Sequence, residues 1–199
     1  NTINTGDVIT INATKTSSGA SRAGEYVERI VFDDGSTLNI DQGLYLNDKS
    51  TNNYYLYGSV HDDEIRGNGG TDKLYSREGN DILVGGTGSD YLYGGTGNDK
   101  YGFSSGDGYD YLTENLSEGT DVVHMTGGLT LSDLYIYTNS SGALQIGNTS
   151  NTGDVITINA SRSASGASRA GEYVEAILLD DGSVLDLAQG FYLCLLYTS

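Results

Sequence analysis

Five aspartates recur at intervals of nine residues in the middle of the chain, most of them directly after a glycine-rich stretch. The clearest part reads GGTGSDYLYGGTGNDKY over residues 85–101. Glycine adopts backbone conformations with positive φ that other residues avoid, so these stretches predict tight turns. Aspartate presents a hard anionic oxygen, which suits a hard cation. The recurring aspartates are Asp63, Asp72, Asp81, Asp90 and Asp99.

Asp110 and Asp121 continue the series at a wider spacing of eleven, and each is again followed two positions later by an apolar residue. Together with the five, they are our candidate metal ligands. The turns at 58–63 and 76–78 depart from the glycine pattern, which leaves open whether they bind a metal. We expect the principal ligands where the glycines are kept best, at Asp72, Asp81, Asp90 and Asp99.

A period of nine drifts around the axis of a helix and therefore does not predict one. It suits six-residue turns that alternate with three-residue strands, with two repeats in each coil of a right-handed parallel β-roll. The apolar eighth residue of each repeat then points inward, and each strand pairs with the strand eighteen residues along, about 4.8 Å away. Aspartates of alternate repeats stack in two columns. One column holds Asp63, Asp81 and Asp99, and the other holds Asp72 and Asp90.

Stacked carboxylates require a cation. Carboxylates about 5 Å apart repel by roughly 1 kcal/mol per pair in water and several-fold more at an effective dielectric near 20. Whole domains are stabilised by only about 5–15 kcal/mol. Because the available ligands are carboxylate and carbonyl oxygens, the predicted sites select Ca²⁺ over Zn²⁺ or copper. Mg²⁺ fits less well, since it demands octahedral geometry. We expect several Ca²⁺ ions as the cofactor.

The nonapeptide Gly-Gly-x-Gly-x-Asp-x-apolar-x at residues 58–102 resembles the RTX, or haemolysin-type, calcium-binding repeat. The segments GDGYDYLTENLSEGTDVVHM, LTLSDLYI, GDVITIN and YVEAILLDDGSVLDL resemble the haemolysin-type calcium-binding-related region. The resemblance implies an all-β fold with Ca²⁺ between the turns of a parallel β-roll. It also implies secretion by a type I exporter, and carbonyls of the glycine-rich turns completing each calcium shell.

Charge and composition limit the classes of partner that the protein could bind. The formal net charge of −17 argues against nucleic acid and anionic membranes, which both require a basic surface. An acidic chain is either disordered or a cation binder, and the patterned apolar runs fit disorder poorly. No apolar run is long enough to span a bilayer. The expected partners are calcium ions and, for a surface protein, a host or surface ligand.

A long repeat divides the chain. Residues 1–46 align with residues 148–193 without a gap, at an offset of 147 residues (148 − 1). We therefore expect a fragment of a tandem array. Our domain prediction is the β-rich end of a preceding unit at 1–47, the β-roll at 48–125, and β-rich flanking sequence at 126–193. The tail CLLYTS at 194–199 resembles a translated sequencing adapter and is interpreted as an artefact, the alternative being a real strand end.

No catalytic arrangement is recognisable in the sequence. The Asp-Asp-Gly triplets at 33–35 and 180–182 could pass for paired catalytic carboxylates, but their place between apolar runs favours hairpin turns. His61 and His124 have no Cys or His partner nearby in the sequence. We therefore expect a non-enzymatic, calcium-folded, secreted or cell-surface segment of a large structural or adhesive protein. The alternative is an export and folding module of a secreted enzyme or pore-forming toxin.

Overall fold

The protein is all-β in a computed structural model that describes residues 29–31, 33–35, 37–39, 42–47, 49–114, 119–140, 143–159 and 174–187. These residues form sixteen strands and one short 3-10 turn at Leu131–Asp133, with no α-helix among them. None of the described segments is a helix long and apolar enough to cross a membrane.

The strands are short and follow one another closely along the chain. In chain order they are β1 Arg29–Val31, β2 Thr37–Asn39, β3 Tyr45–Asn47, β4 Tyr55–Tyr57, β5 Glu64–Gly70, β6 Lys73–Glu78, β7 Ile82–Gly88, β8 Tyr91–Thr96, β9 Lys100–Ser104, β10 Tyr109–Thr113, β11 Val122–Thr126, β12 Leu134–Thr138, β13 Leu144–Asn148, β14 Val155–Asn159, β15 Ala176–Leu179 and β16 Val184–Asp186.

From β3 to β11 the chain alternates between two sheets, which confirms the predicted parallel β-solenoid. The first sheet has the order β12-β13-β14-β10-β8-β6-β4, and the second has the order β16-β15-β11-β9-β7-β5-β3. The pairing from β5 to β7 is parallel and joins Glu64 to Ile82, eighteen residues along. The same interval joins Lys73 of β6 to Tyr91 of β8. Two nonapeptides therefore make one coil, of which there are about four.

The apolar eighth residues form the core between the two sheets, as predicted. All five are fully buried: Ile65, Leu74, Leu83, Leu92 and Tyr101. Their outward neighbours alternate with them along each strand, which is the period-two pattern of a strand with one buried face. Because each coil contributes only one such residue per strand, the core is narrow. Each core residue is therefore buried mainly by the core residues of adjacent coils.

The strands of the central coils are longer than the predicted three residues. β5 and β7 each have seven, because their pairing continues past Arg66–Val84 into the glycine-rich stretch and ends at Gly70–Gly88. Further along the chain, the interval between paired strands is longer than eighteen residues, and the additional residues lie in the turns. Tyr91 pairs with Tyr111 and Lys100 pairs with Val122, so the strands stay in register while the turns lengthen.

Antiparallel strands follow the roll. β12, β13 and β14 form a meander that joins the first sheet at β10, and β15 and β16 form a hairpin that joins the second sheet at β11. Asp180-Asp181-Gly182 lies in the turn of that hairpin, with Gly182 at φ 85°. The corresponding triplet at 33–35 lies in the turn between β1 and β2, so both are hairpin turns, as predicted.

Several predictions fall outside the described residues. They include the tail at 194–199 with Cys194, and most of the first copy of the long repeat at 1–28. The second copy is described at 148–159 and 174–187, where it supplies β14, β15 and β16. The domain boundaries after residues 47, 125 and 193 remain a proposal.

Candidate metal centre

One column of carboxylates lies along one edge of the roll and is linked by backbone amides. The amide of Asp63 donates to Oδ1 of Asp81 at 2.6 Å, and the amide of Asp81 donates to Oδ1 of Asp99 at 2.8 Å. The amide of Asp99 continues to Oδ1 of Asp121 at 2.8 Å. Glu175 ends this first ladder, because its Oε2 accepts from the amide of Asp121 at 2.6 Å.

A second ladder follows the same rule with the alternate repeats. Oδ1 of Asp72 accepts from the amide of Tyr54 at 2.7 Å, and the amide of Asp72 donates to Oδ1 of Asp90 at 2.7 Å. The amide of Asp90 donates to Oδ1 of Asp110 at 3.0 Å. All seven predicted ligands therefore lie in two ladders, in the column order expected from the period of nine.

The ladder carboxylates are buried, and several present one oxygen that the protein does not satisfy. The exposed fraction of the seven aspartates is between 0% and 3%. Among the residues that the structure describes, the Oδ2 atoms of four have no hydrogen-bond partner: Asp81, Asp90, Asp99 and Asp110. An unsatisfied buried carboxylate oxygen is costly. A Ca²⁺ ion would satisfy each of these oxygens, so the residues present fit the ion.

The first glycine of a repeat faces the carboxylate of its own repeat. A Cβ at Gly85 would lie 2.5 Å from Oδ2 of Asp90. A Cβ at Gly67 would lie 2.5 Å from Oδ2 of Asp72 and 2.6 Å from the carbonyl oxygen of Gly85, one coil along. The absence of a side chain thus leaves room beside a carboxylate oxygen and a backbone carbonyl oxygen. This donor set is the one that Ca²⁺ prefers.

Burial and mutual repulsion raise the carboxyl pKa values. Desolvation, augmented by the charge of Asp63, raises the pKa of Asp81 to about 6. Desolvation likewise raises the pKa of Asp90 to about 6, that of Asp99 to about 7 and that of Asp110 to about 8, each with neighbouring carboxylates adding to it. Without a cation, much of the negative charge in the ladders is therefore unfavourable at neutral pH.

The two irregular turns differ from the others. At the first, both carboxylate oxygens of Asp63 accept hydrogen bonds: Oδ2 from the amide of Ser59 at 2.5 Å, and Oδ1 from the hydroxyl of Ser59 at 3.0 Å and the amide of Leu44 at 2.5 Å. Both oxygens of Asp63 are thus satisfied by protein groups, unlike those of Asp81, Asp90, Asp99 and Asp110. At the second turn, Ser76 replaces the first glycine and donates to the carbonyl oxygen of Gly94 at 2.7 Å.

Sequence reasoning missed two acidic residues beyond the repeats. Asp154 accepts from the amides of Gly106 at 2.8 Å and Gly108 at 3.2 Å, in the turn before Asp110, and Glu175 ends the first ladder. A signal was present, since Ile156 and Ile177 follow these acids two positions later, as apolar residues follow the repeat aspartates. Glu114, which lies close to Asp99, carries no such periodic signal, and the period places Tyr101 in the core column without indicating its hydroxyl.

Comparison with known families agrees with this geometry. The RTX calcium-binding nonapeptide repeat (4 copies) matches residues 55–83 and 75–112. The haemolysin-type calcium binding protein related domain matches residues 2–42, most of which lie outside the described residues. No curated protein sequence matches the chain significantly.

Among solved structures, the chain is similar to the AlgE6R3 subunit from the Azotobacter vinelandii mannuronan C5-epimerase. The identity is 25%, the alignment covers 55% of this chain and 71% of that one, and the TM-score is 0.41. The matches to the two families assign the segments that they cover, and the parallel coils and aspartate ladders agree with the first of them. Residues 55–112 belong to the RTX haemolysin-type calcium-binding nonapeptide repeats and form a calcium-binding β-roll, and the chain also carries the related haemolysin-type domain.

Proposed function

We propose that calcium drives folding of this β-roll after secretion, and that the roll is a structural unit of a large extracellular repeat protein. The observation that supports this most directly is the pair of buried carboxylate ladders with unsatisfied Oδ2 atoms. A ladder of this kind is stable only when its charge is compensated. Ca²⁺ supplies two positive charges to oxygens that are buried beside the glycine-rich turns, and it is abundant outside cells.

Ligand binding and folding are coupled because the ligands come together only in the roll. Each sixth-position aspartate accepts a hydrogen bond from an amide one coil away, as Asp99 does from Asp81. Extracellular modules bind Ca²⁺ at about 10⁻⁴–10⁻³ M. Binding to the folded form alone contributes about 2.7 kcal/mol per site at one hundred times the dissociation constant. Since coils stabilise their neighbours, folding along the roll is cooperative.

The long repeat supports a structural or adhesive role. Glu175 ends the first ladder and Asp154 binds the turn that precedes Asp110, and the offset of 147 residues relates these two acids to Glu28 and Asp7 in the first copy. A unit made of a calcium-binding roll and a strand-rich end can be repeated head to tail, because the strands at the end of each unit pair with the last coil of its own roll. Many copies would extend the protein away from the cell surface and bind a surface ligand multivalently.

The test of calcium-driven folding is a titration of the full chain from chelator into Ca²⁺, followed by far-UV circular dichroism, with Mg²⁺ as the control. We expect a cooperative rise in β signal at sub-millimolar to millimolar Ca²⁺ and little response to Mg²⁺. A spectrum that is already β-rich in chelator and does not respond to Ca²⁺ would overturn the coupled mechanism.

The test of the structural role compares proteins of one and three 147-residue units by small-angle X-ray scattering. In Ca²⁺ we expect the maximum dimension to grow in proportion to the number of units, as for a rigid rod. In chelator we expect a flexible chain whose size grows more slowly. Independent, collapsed units in Ca²⁺ would contradict the array and favour the role of an export and folding module.

A further inference from the structure

The last regular coil contains a cluster of oxygens that the repeat pattern does not explain. Tyr101 occupies the apolar eighth position of its repeat, where the four preceding repeats have isoleucine or leucine. Its ring is fully buried in the column, and its hydroxyl has no hydrogen-bond partner among the described residues. A buried phenol without a partner is unfavourable, so this hydroxyl requires an explanation.

The Tyr101 hydroxyl is directed at carboxylates. A Cβ placed on Gly94 would collide with three oxygens at once: the hydroxyl of Tyr101, Oδ2 of Asp99 and Oε1 of Glu114. These atoms come from β9, from the turn before it and from the end of β10. Three elements thus bring one neutral and two acidic oxygens to the same point beside a residue that has no side chain.

Asp121 completes the group. Carboxylate oxygens of Asp99, Glu114 and Asp121 all lie within 4.8 Å of one another. All three side chains are buried, with exposed fractions of 1%, 1% and 3%. Oxygens that share one Ca²⁺ ion lie about 2.3–2.6 Å from it, so they are separated by at most about twice that distance. The observed spacing therefore fits oxygens that surround a single calcium ion.

We propose that Asp99, Glu114 and Asp121, with the hydroxyl of Tyr101, form a calcium site built mainly from side chains inside the end of the roll. The site rests on the proposed calcium-binding function but differs from the turn sites. Those use one aspartate per repeat and backbone carbonyls, whereas this one combines two ladder aspartates with Glu114, which lies outside the nonapeptide register. It occurs once in the described roll.

The site has two consequences. Three carboxylates on one ion give it more negative charge than a turn site, and affinity for Ca²⁺ rises with the number of charged ligands. It is therefore the first site to fill. It also joins β9 and β10 to the flanking region, because Asp121 is linked through its amide to Glu175. Filling it locks the end of the roll onto the strands that follow.

The test is isothermal titration of the full chain with Ca²⁺, comparing Glu114→Gln and Tyr101→Phe with the parent. Glu114→Gln keeps the shape and removes the charge, and we expect the tightest binding event to be lost or weakened at least tenfold. Tyr101→Phe removes only the hydroxyl, and we expect the same event to weaken about threefold or more. Matched controls are Glu64→Gln and Tyr93→Phe, which alter partly exposed side chains on the outer faces of the sheets.

A second readout uses Tb³⁺, whose emission is sensitised by a nearby tyrosine. We expect Tyr101→Phe to reduce the emission of the first bound equivalent, and Tyr93→Phe to leave it unchanged. If Glu114→Gln fails to fold in saturating Ca²⁺, Tyr101→Phe decides the matter. A parent that binds Ca²⁺ while both variants bind it identically overturns this site alone. A parent that binds no Ca²⁺ overturns the proposed function as well.

Discussion

The backbone amide of Asp81 donates a hydrogen bond of 2.8 Å to Oδ1 of Asp99, one coil further along the roll. Each aspartate of a ladder thus uses one oxygen to align the preceding coil. The other oxygen, Oδ2, lies buried beside the glycine-rich turn, as for Asp99 next to Gly94. One side chain therefore has two roles: Oδ1 aligns the neighbouring coil, and Oδ2 is available to a metal ion. Substitutions and changes of pH can alter one role without the other.

Asp90→Asn separates the two tasks of the ladder. Asparagine retains an oxygen to accept from the amide of Asp72, but it removes the charge. We expect more β structure than the parent in chelator, because repulsion within the ladder falls, and a calcium affinity at least tenfold lower at that site. Calcium titrations followed by circular dichroism measure both effects. Asp181→Asn, in an exposed hairpin turn, is the control, and equal behaviour of the two variants would contradict the ligand role of Asp90.

Stability without calcium depends on pH in a defined direction. The pKa values of Asp99 and Asp110 are about 7 and about 8 in the fold, against about 3.9 for an unfolded aspartate. An acid whose pKa is raised by folding stabilises the fold fully below its unfolded pKa, and this stabilisation is lost as the pH rises through the folded pKa. In calcium-free buffer we therefore expect the β signal in circular dichroism to be greatest near pH 4 and to be lost as the pH rises to 8.

In calcium the pH dependence is expected to reverse. Protons compete with Ca²⁺ for the same oxygens, so the apparent calcium affinity falls as the pH is lowered from 8 to 5. Far-UV circular dichroism at several pH values in metal-free buffer, and calcium titrations at the same pH values, measure the two trends. A β signal that is constant from pH 4 to pH 8 in metal-free buffer would show that the ladder carboxyls do not have raised pKa values.

Arg77 occupies a position that glycine suits better. Its φ is 87°, close to the 90° of Gly86 and the 100° of Gly95 at the same place in the next two repeats. A non-glycine residue in this region is strained by about 1–2 kcal/mol. The guanidinium lies over the ring of Tyr57 at 5.8 Å, which offsets part of that strain. We expect Arg77→Gly to stabilise the roll by about 0.5–1 kcal/mol in urea denaturation with saturating Ca²⁺.

The reverse change is the control for that strain. A Cβ on Gly86 would meet the carbonyl oxygen of Asn68, in addition to the unfavourable φ. We expect Gly86→Ala to destabilise the roll by about 1–3 kcal/mol. If both substitutions shift the urea midpoint in the same direction, backbone conformation does not determine the residue type at this position.

Neighbouring residues on β7 test the core column. Leu83 is fully buried, whereas Ile82 is 38% exposed on the outer face. We expect Leu83→Ala to lower the free energy of unfolding by about 2–5 kcal/mol, because a narrow core cannot collapse around the cavity. Ile82→Ala on the same strand should cost much less. Urea denaturation in saturating Ca²⁺ compares them, and similar losses would argue against a single inward column.

The sequence alone determined the repeating part of the molecule. The nine-residue period predicted parallel coils, the inward column from Ile65 to Tyr101 and the two aspartate columns, because in a solenoid each coil repeats the local geometry of the one before. The Asp-Gly hairpins were also readable, since their turn chemistry is local. In these regions, residues at a fixed spacing in the sequence occupy equivalent positions in successive coils.

Only the tertiary structure decided what happens where the period ends. Asp154 accepts from Gly108, 46 residues away, in the turn before Asp110, and Glu175 accepts from Asp121 of the first ladder, 54 residues away. Glu114 meets Tyr101 and Asp99 beside Gly94 without any repeat to indicate it. Such contacts depend on how strands far apart in the chain pack together. No local pattern encodes that packing, because it is set by the assembly of both sheets.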